Sequence, residues 1–360
     1  MSAVLAALGF MALIVLHELG HFAAAKAVGM RVERFALFFP PLLLRKKVGE
    51  TEYALGAIPL GGYVKISGMN PDEKLPDDVR TRAYYSQPVW KRIVVIAAGP
   101  AVNLVLALVL LVVFLWLIGP REATDRVGAL EPALPAAGVL EPGDRLLAVD
   151  GERGDPIDLS EAIADHTCSQ RPPEGGCEAA TPAMLTVERD AEPLAVWITP
   201  VYDPIEERTR VGFRYAEGPR SPFSFGESLD LALEQFWIVT RETVKLPLYL
   251  LDAERRDEIS GVVGSYEITR LEISDDLENG VRILAFISLA LAIINLFPFL
   301  PLDGGHIFWA VVEKIRRKPV SYATMERAGV VGFMLVMVLF LIGFTNDIGR
   351  LTGEGFDNIR

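Results

Sequence analysis

His17-Glu18-Leu19-Gly20-His21 sits inside an apolar run, with Val4 to Leu16 uncharged before it and Phe22 to Ala25 after it. That placement restricts the fold more than any other feature of the chain. On a helix, residues four apart project within about 40° of each other, so His17 and His21 can turn their imidazoles onto one metal ion. Glu18 falls roughly 60° from His21 on the same wheel, within reach of a water beside that ion without ligating it. A charged side chain at mid-membrane costs ~2.5–3.5 kcal/mol even on the lenient insertion scale, so a carboxylate there marks function. The competing reading is a chance match on a polar-capped core helix.

Three further stretches carry no charged side chain: residues 93–118, 283–302 and 328–344. Each is long enough to cross the bilayer core as a helix. With the His17 segment they predict four transmembrane helices, so the fold class is an α-helical polytopic membrane protein. No Lys or Arg precedes the first run, which reads as a retained span rather than a cleavable leader. Arg31, Arg34, Arg45, Lys46, Lys47, Lys91 and Arg92 lie between the first two spans, and Lys314, Arg316, Arg317, Lys318 and Arg327 between the last two. Basic residues stay on the cytoplasmic side. The N-terminus, residues 119–280 and the C-terminal tail are therefore expected outside, with the metal motif near the cytoplasmic face. Residues 119–280 carry a net charge of −18 against +6 for the rest of the chain. No basic stripe points to nucleic acid.

Four regions follow from this pattern. Residues 1–118 hold the first two spans and a cytoplasmic β-region, in which 31–39 and 50–68 alternate as strands with a turn at Gly61-Gly62. That region is apolar enough to dip toward the membrane, where irregular backbone is tolerated if it lines a protein cavity. Residues 70–82 are a polar linker. In the second span, Gly99-Pro100 allows close helix contact and a kink, and Asn103 is a buried amide in need of a partner. Residues 119–217 read as a compact β-rich outer domain, with a helix over 159–166 and a strand pair around Asp190. Cys168 and Cys177 fall in a Pro/Gly-rich insertion there, and an outer compartment favours their oxidation to a disulfide over zinc ligation. His166 is expected on a solvated helix without chemistry. Residues 218–280 contain an amphipathic helix over 225–251, whose Glu234, Arg241, Glu242 and Lys245 disfavour a span. It is expected on the outer domain or on the membrane surface. Residues 281–360 hold the last two spans.

The third span runs into Asn295-Leu296-Phe297-Pro298-Phe299-Leu300-Pro301-Leu302-Asp303-Gly304-Gly305-His306. Two prolines and two glycines should break the helix there, and broken backbone must face protein rather than lipid. Asp303 then becomes a carboxylate at the depth of His17 and His21. Two histidines, one carboxylate and an open position form a hydrolytic zinc sphere. His306, one turn on, is the rival third ligand. Asn295 is positioned to donate to a substrate carbonyl or its oxyanion, or else to a neighbouring helix.

These motifs, in this order, resemble the site-2 protease family of intramembrane zinc metalloproteases, in its bacterial RseP branch. The resemblance rests on His17 to His21, on Pro59 to Val64, on Gly99-Pro100 with Asn103, on Ala136-Ala137-Gly138 with Pro142-Gly143-Asp144, and on Asn295 to Gly305. It implies that His17, His21 and Asp303 bind Zn2+ and that Glu18 is the general base. It implies substrate contacts at Asn295 and at a strand holding Gly61, Gly62 and Tyr63, with Asn103 placed among them. It implies one extracytoplasmic PDZ-like α+β domain that screens substrates. The substrates implied are single-pass transmembrane proteins already trimmed by another protease, such as anti-sigma factors, or signal-peptide remnants. The location implied is the lipid bilayer of a bacterial inner membrane. Two departures stand out: there is room for one PDZ domain where some relatives carry two, and Val262 stands where the family usually has proline. Read without the resemblance, a catalytically inactive membrane PDZ scaffold and a zinc transporter remain open, and the oligomeric state is undetermined.

Overall fold

The computed structural model describes residues 1–70, 73–204, 208–249, 256, 259–318 and 320–352. The tail beyond Thr352 lies outside the described residues. The chain divides into two units, one of Met1–Leu117 with Phe223–Arg360, the other Ile118–Pro222.

In the first unit, helix α1 (Ser2–Ala27) carries the His17 motif and leads into strands β1 (Val32–Val48) and β2 (Thr51–Ile66). Helix α2 (Val89–Val113) continues through a π-turn at Phe114–Ile118. Among the described residues, three helices are long and apolar enough to cross a membrane: Ser2–Ala27, Val89–Ile118 and Ala323–Thr352. The expected third span is shorter than the charge-free run. Its helix covers Asn279–Asn295, 17 residues or about 25 Å, and the chain then leaves helical geometry until Asp303. The break falls at Pro298 and Pro301, neither of which can donate a backbone hydrogen bond.

The β-region folds back on itself. Val48 pairs with Thr51 across a turn at Gly49-Glu50, which the sequence reading did not mark. Residues 34–37 pair on one side with 62–65 and on the other with 52–55, while 52–56 also pair with 42–47. The two long strands thus make a four-segment sheet, and β2 reverses between Ile58 and Gly62. Glu50 closes the base: it accepts from Lys26 Nζ at 2.6 Å and from both terminal nitrogens of Arg82 at 2.7 and 2.8 Å. Those cations hold its carboxyl down at about 2.

In the Ile118–Pro222 unit, strands β3 (Arg121–Leu130), β4 (Arg145–Val149), β5 (Ala183–Arg189), β6 (Glu192–Ile198) and β9 (Phe213–Arg220) form a sheet in the order β6-β5-β4-β3-β9. Strands β7 (Val201–Asp203) and β8 (Arg208–Arg210) pair separately. Helix α3 (Pro156–Ala164) starts on an Asp155 capping box and buries Leu159 and Ile163 against Val127, Leu146, Leu185 and Val187. Asp144 is buried beneath Arg189, which donates to its two oxygens at 2.8 and 2.6 Å and holds its carboxyl below the usual carboxylate range. His166 lies past the end of α3 rather than on a solvated helix. It bridges Asp150 Oδ2 at 2.7 Å and Thr181 Oγ1 at 2.9 Å. Cys168 and Cys177 are paired, with Cα atoms 6.1 Å apart.

Helix α4 (Phe225–Tyr249) belongs to the unit of the apolar helices, not to the Ile118–Pro222 unit. Phe236 and Val239 pack on Leu104 and Ala107 of α2 and on Leu289 and Ile293 of α6 (Asn279–Asn295). Of the two placements expected for it, the one on the β-rich domain gives way to this packing, because its charged residues leave one apolar stripe intact. Between α4 and α6 lies α5 (Val262–Asp275), and α7 (Asp303–Arg316) and α8 (Tyr322–Thr352) complete the unit. Asp347 of α8 is fully buried. It accepts from the backbone N–H of Gly261 at 3.0 Å and of Gly264 at 2.7 Å, capping the start of α5 from another helix. From α5, the Tyr266 hydroxyl donates to Ala3 O at 3.3 Å, and its ring packs on Phe10 of α1.

Candidate metal centre

His17 and His21 project from adjacent turns of α1 and are both 7% exposed. His21 Nδ1 donates to the carbonyl of Val95 on α2 at 2.9 Å. That bond fixes the tautomer and leaves the Nε2 lone pair free to bind metal. The ring lies against Gly99, where any Cβ would collide with it. Gly20 permits the approach from the other side, since a Cβ there would stand 2.6 Å from Ala98 O. The sequence reading gave Gly99-Pro100 a role in helix contact and kinking. The structure shows that Gly99 seats an imidazole.

Asp303 is the first residue of α7. Gly304 and Gly305 bring that helix start onto the backbone of Leu296, Phe297, Phe299 and Leu300, where side chains would clash. Asp303 Oδ2 lies 3.2 Å from His17 Nε2 and 3.2 Å from His21 Nε2, and the two nitrogens are 3.2 Å apart. Among the described residues this is the one group of three or more His, Cys, Asp or Glu side chains gathered for a metal. Zinc ligands at ~2.0–2.1 Å in a tetrahedron stand about 3.3 Å from one another, so the donor triangle is zinc-sized. Asp303 Oδ2 and His17 Nδ1 are buried without a hydrogen-bond partner. With His17 in the same tautomer as His21, the three atoms are all acceptors at a spacing suited to a cation between them. The donor set and its dimensions both fit Zn2+. His306, half-buried further along α7, is not part of the triangle.

Glu18 points to the β-region. A Cβ built on Gly62 would lie 2.9 Å from Glu18 Cγ, so the sheet reaches the carboxylate only because residue 62 is glycine. Residues 62–65 pair with 34–37, and Tyr63 stacks on Phe39 with ring centroids 6.2 Å apart. Gly61, at φ 159°, lies against the Phe39 ring. Asn295 ends α6 and donates its amide to Leu291 O at 3.0 Å within its own helix. Asn103 is fully buried, with neither end of its amide hydrogen-bonded among the described residues. Its backbone carbonyl accepts from Ser288 Oγ at 3.0 Å.

Beyond Gly99-Pro100 and Asn103, α2 contributes Arg92, which charge placement alone puts in a cytoplasmic loop, yet it is 3% exposed and paired with Glu313. A charge at each border of an apolar run was the available signal.

The family model described as peptidase family M50 matches residues 5–339. Zinc metalloprotease Rip1 of Mycobacterium tuberculosis is 31% identical over 96% of this chain and 96% of its own. A Brucella suis protein with a provisional zinc metalloprotease name is 31% identical over 93% of this chain and 92% of its own. A similarly named protein of Clostridium perfringens is 31% identical over 97% of this chain and 98% of its own.

Proposed function

The chain belongs to peptidase family M50, the site-2 protease family, as a multi-pass membrane zinc metalloprotease, and on that premise we propose that it cuts peptide bonds within transmembrane segments. The observation that carries the reading is the zinc-sized triangle of His17, His21 and Asp303 with Glu18 beside it, set on apolar helices.

His17 Nε2, His21 Nε2 and Asp303 Oδ2 hold the ion. Zinc, when bound, supplies the Lewis acidity that peptide hydrolysis needs. Glu18 takes the proton from the attacking water and returns it to the leaving amine, a service worth typically 10²–10⁴-fold in rate. A helical substrate shields its carbonyls in its own hydrogen bonds and has to unwind first. Segment 62–65 supports that step: it pairs with 34–37 and lies against Glu18, so an extended substrate added there regains backbone partners beside the base. Asn295 and Asn103 are assigned to the substrate backbone, and Asn103 has both amide ends free for it among the described residues. The Ile118–Pro222 unit acts as a PDZ-like screen on what enters. Its five-stranded sheet with one capped helix, and Asp144 fixed by Arg189, support that role. The Lys/Arg distribution supports a cytoplasmic-side active site in a bacterial inner membrane, with both termini and the Ile118–Pro222 unit outside. The substrates are single-pass membrane proteins pre-trimmed by another protease.

The test is cleavage of a reconstituted single-span substrate by the purified chain. Cleavage is expected to stop with a chelator, to return with zinc, and to be abolished by Glu18→Gln while zinc stays bound. Wild-type cleavage by Glu18→Gln overturns the base assignment.

A further inference from the structure

We propose that Arg92 and Glu313 form a clamp that sets the register of α7 against α2, so that Asp303 meets the two histidines at metal-binding distance; the clamp rests on the ligand assignment above. Arg92 Nη1 and Nη2 donate to Glu313 Oε2 and Oε1 at 3.0 and 2.6 Å. The rings of Tyr84 and Tyr85 lie 5.9 and 5.5 Å from the guanidinium carbon. Two parallel hydrogen bonds between planar groups admit one relative placement, where a lysine would admit many. Burying such a pair yields little net stability, since desolvation offsets the attraction. What it does define is position.

The two helices each hold one part of the metal site: α2 seats the His21 ring of α1, and α7 carries Asp303. On α2, Arg92 binds α7, Val95 O holds the His21 ring, and Gly99 seats that ring. All three project on one face, at spacings of three and four residues. On α7, Asp303 and Glu313 lie ten residues apart, about 15 Å along the axis. Between them Ile307 packs into the cluster of Val95 and Ile96. Helix α7 is therefore fixed to α2 at the charge pair and meets α1 at the donor triangle. If the clamp opens, a slide of α7 by ~1 Å carries Asp303 Oδ2 by the same distance, several times the ±0.2 Å that a metal bond tolerates.

The experiment uses the full chain in detergent, as wild type, Glu313→Gln, Glu313→Asp and Arg92→Lys. Three quantities are read: zinc affinity by competition with a chromophoric chelator, the visible bands of the cobalt-loaded protein, and thermal unfolding of the stripped protein. The expected result is a 10–100-fold loss of zinc affinity with altered cobalt bands, while stripped Glu313→Asp and Arg92→Lys melt within a few degrees of wild type. Wild-type affinity and bands in all three variants overturn the clamp, whatever their melting points. If wild type binds no zinc, or Asp303→Asn binds it as well as wild type does, the ligand assignment falls and the clamp with it. That outcome is distinguished by needing no clamp variant.

Discussion

Gly99→Ala isolates the seat of His21 from every other feature of the site. The added methyl group would lie 2.6 Å from His21 Cε1 and 2.8 Å from Cδ2, and nearest of all to Nε2, the atom that faces the metal. Ordinary contact begins near 3.4 Å, so the ring has to retreat by at least ~0.8 Å at Cε1 and by more at Nε2, against a metal-bond tolerance of about 0.2 Å. Backing α1 away as a unit would open the close approach of Gly20 to the Ala98 carbonyl and Val102 of α2. The ring therefore turns instead. Rotation breaks the bond from Nδ1 to Val95 O and frees the tautomer. Losses of outer-shell order typically cost 10–100-fold in metal affinity, and a displaced ligand belongs at the upper end of that range. Zinc competition on detergent-solubilised Gly99→Ala, with cleavage of a membrane substrate in parallel, measures it. Gly9→Ala on the same helix is the control: its new methyl meets only the flexible end of Leu284, at 2.8 Å, and both readouts should stay near wild type. Stoichiometric zinc at wild-type affinity in Gly99→Ala would refute the reasoning.

Gly62→Ala places a methyl 2.9 Å from Glu18 Cγ and 3.0 Å from Ala36 O. It should cut kcat at least tenfold with zinc affinity unchanged, and a parallel fall in zinc affinity would show that the sheet supports the ligands rather than the base. In the Ile118–Pro222 unit, Asp144→Asn is expected to destabilise by about 2–3 kcal/mol, because Arg189 loses its ionic partner around a carboxylate that is buried. The sign with pH follows. Arg189 holds the Asp144 carboxyl below its unfolded value, so its stabilisation is complete above roughly pH 4 and fades as pH falls through the lowered native value. Hydrogen exchange of strands β4 and β5 in the full chain, between pH 5 and 2, should show protection falling in wild type and already low and flat in Asp144→Asn.

The chemistry of the site was legible in the sequence because its residue types are costly where they stand. Glu18 in an apolar helix, and Asp303 after Pro298 and Pro301, have few structural uses, and the structure brings the expected ligands into one triangle. What stayed hidden depends on partners far along the chain. A glycine at 99 announces close approach but not to what, and only the fold shows that the neighbour is the His21 ring. Arg92 counted as a topology marker when its charge was read by position alone. With Glu313 found 221 residues away it is a buried half of an ion pair. The turn at Gly49-Glu50 and the doubled pairing of 34–37 follow from long-range register, which alternation cannot supply. The packing of helix α4 is a related case. Four charges suggest a solvated surface, while Phe236 and Val239 are enough to dock it on α2 and α6.

The cap that Asp347 places on α5 has a consequence in time. Through Tyr266 that helix leans on Ala3 and Phe10, near the start of the helix that carries His17 and His21. The ribosome makes Phe10 more than 300 residues before Asp347, a delay of roughly 15 s to a minute at ordinary rates of synthesis. A nascent chain therefore passes through insertion with α5 uncapped, and a ribosome stalled before codon 347 would leave behind a chain that holds His17, Glu18, His21 and Asp303 and still lacks that cap.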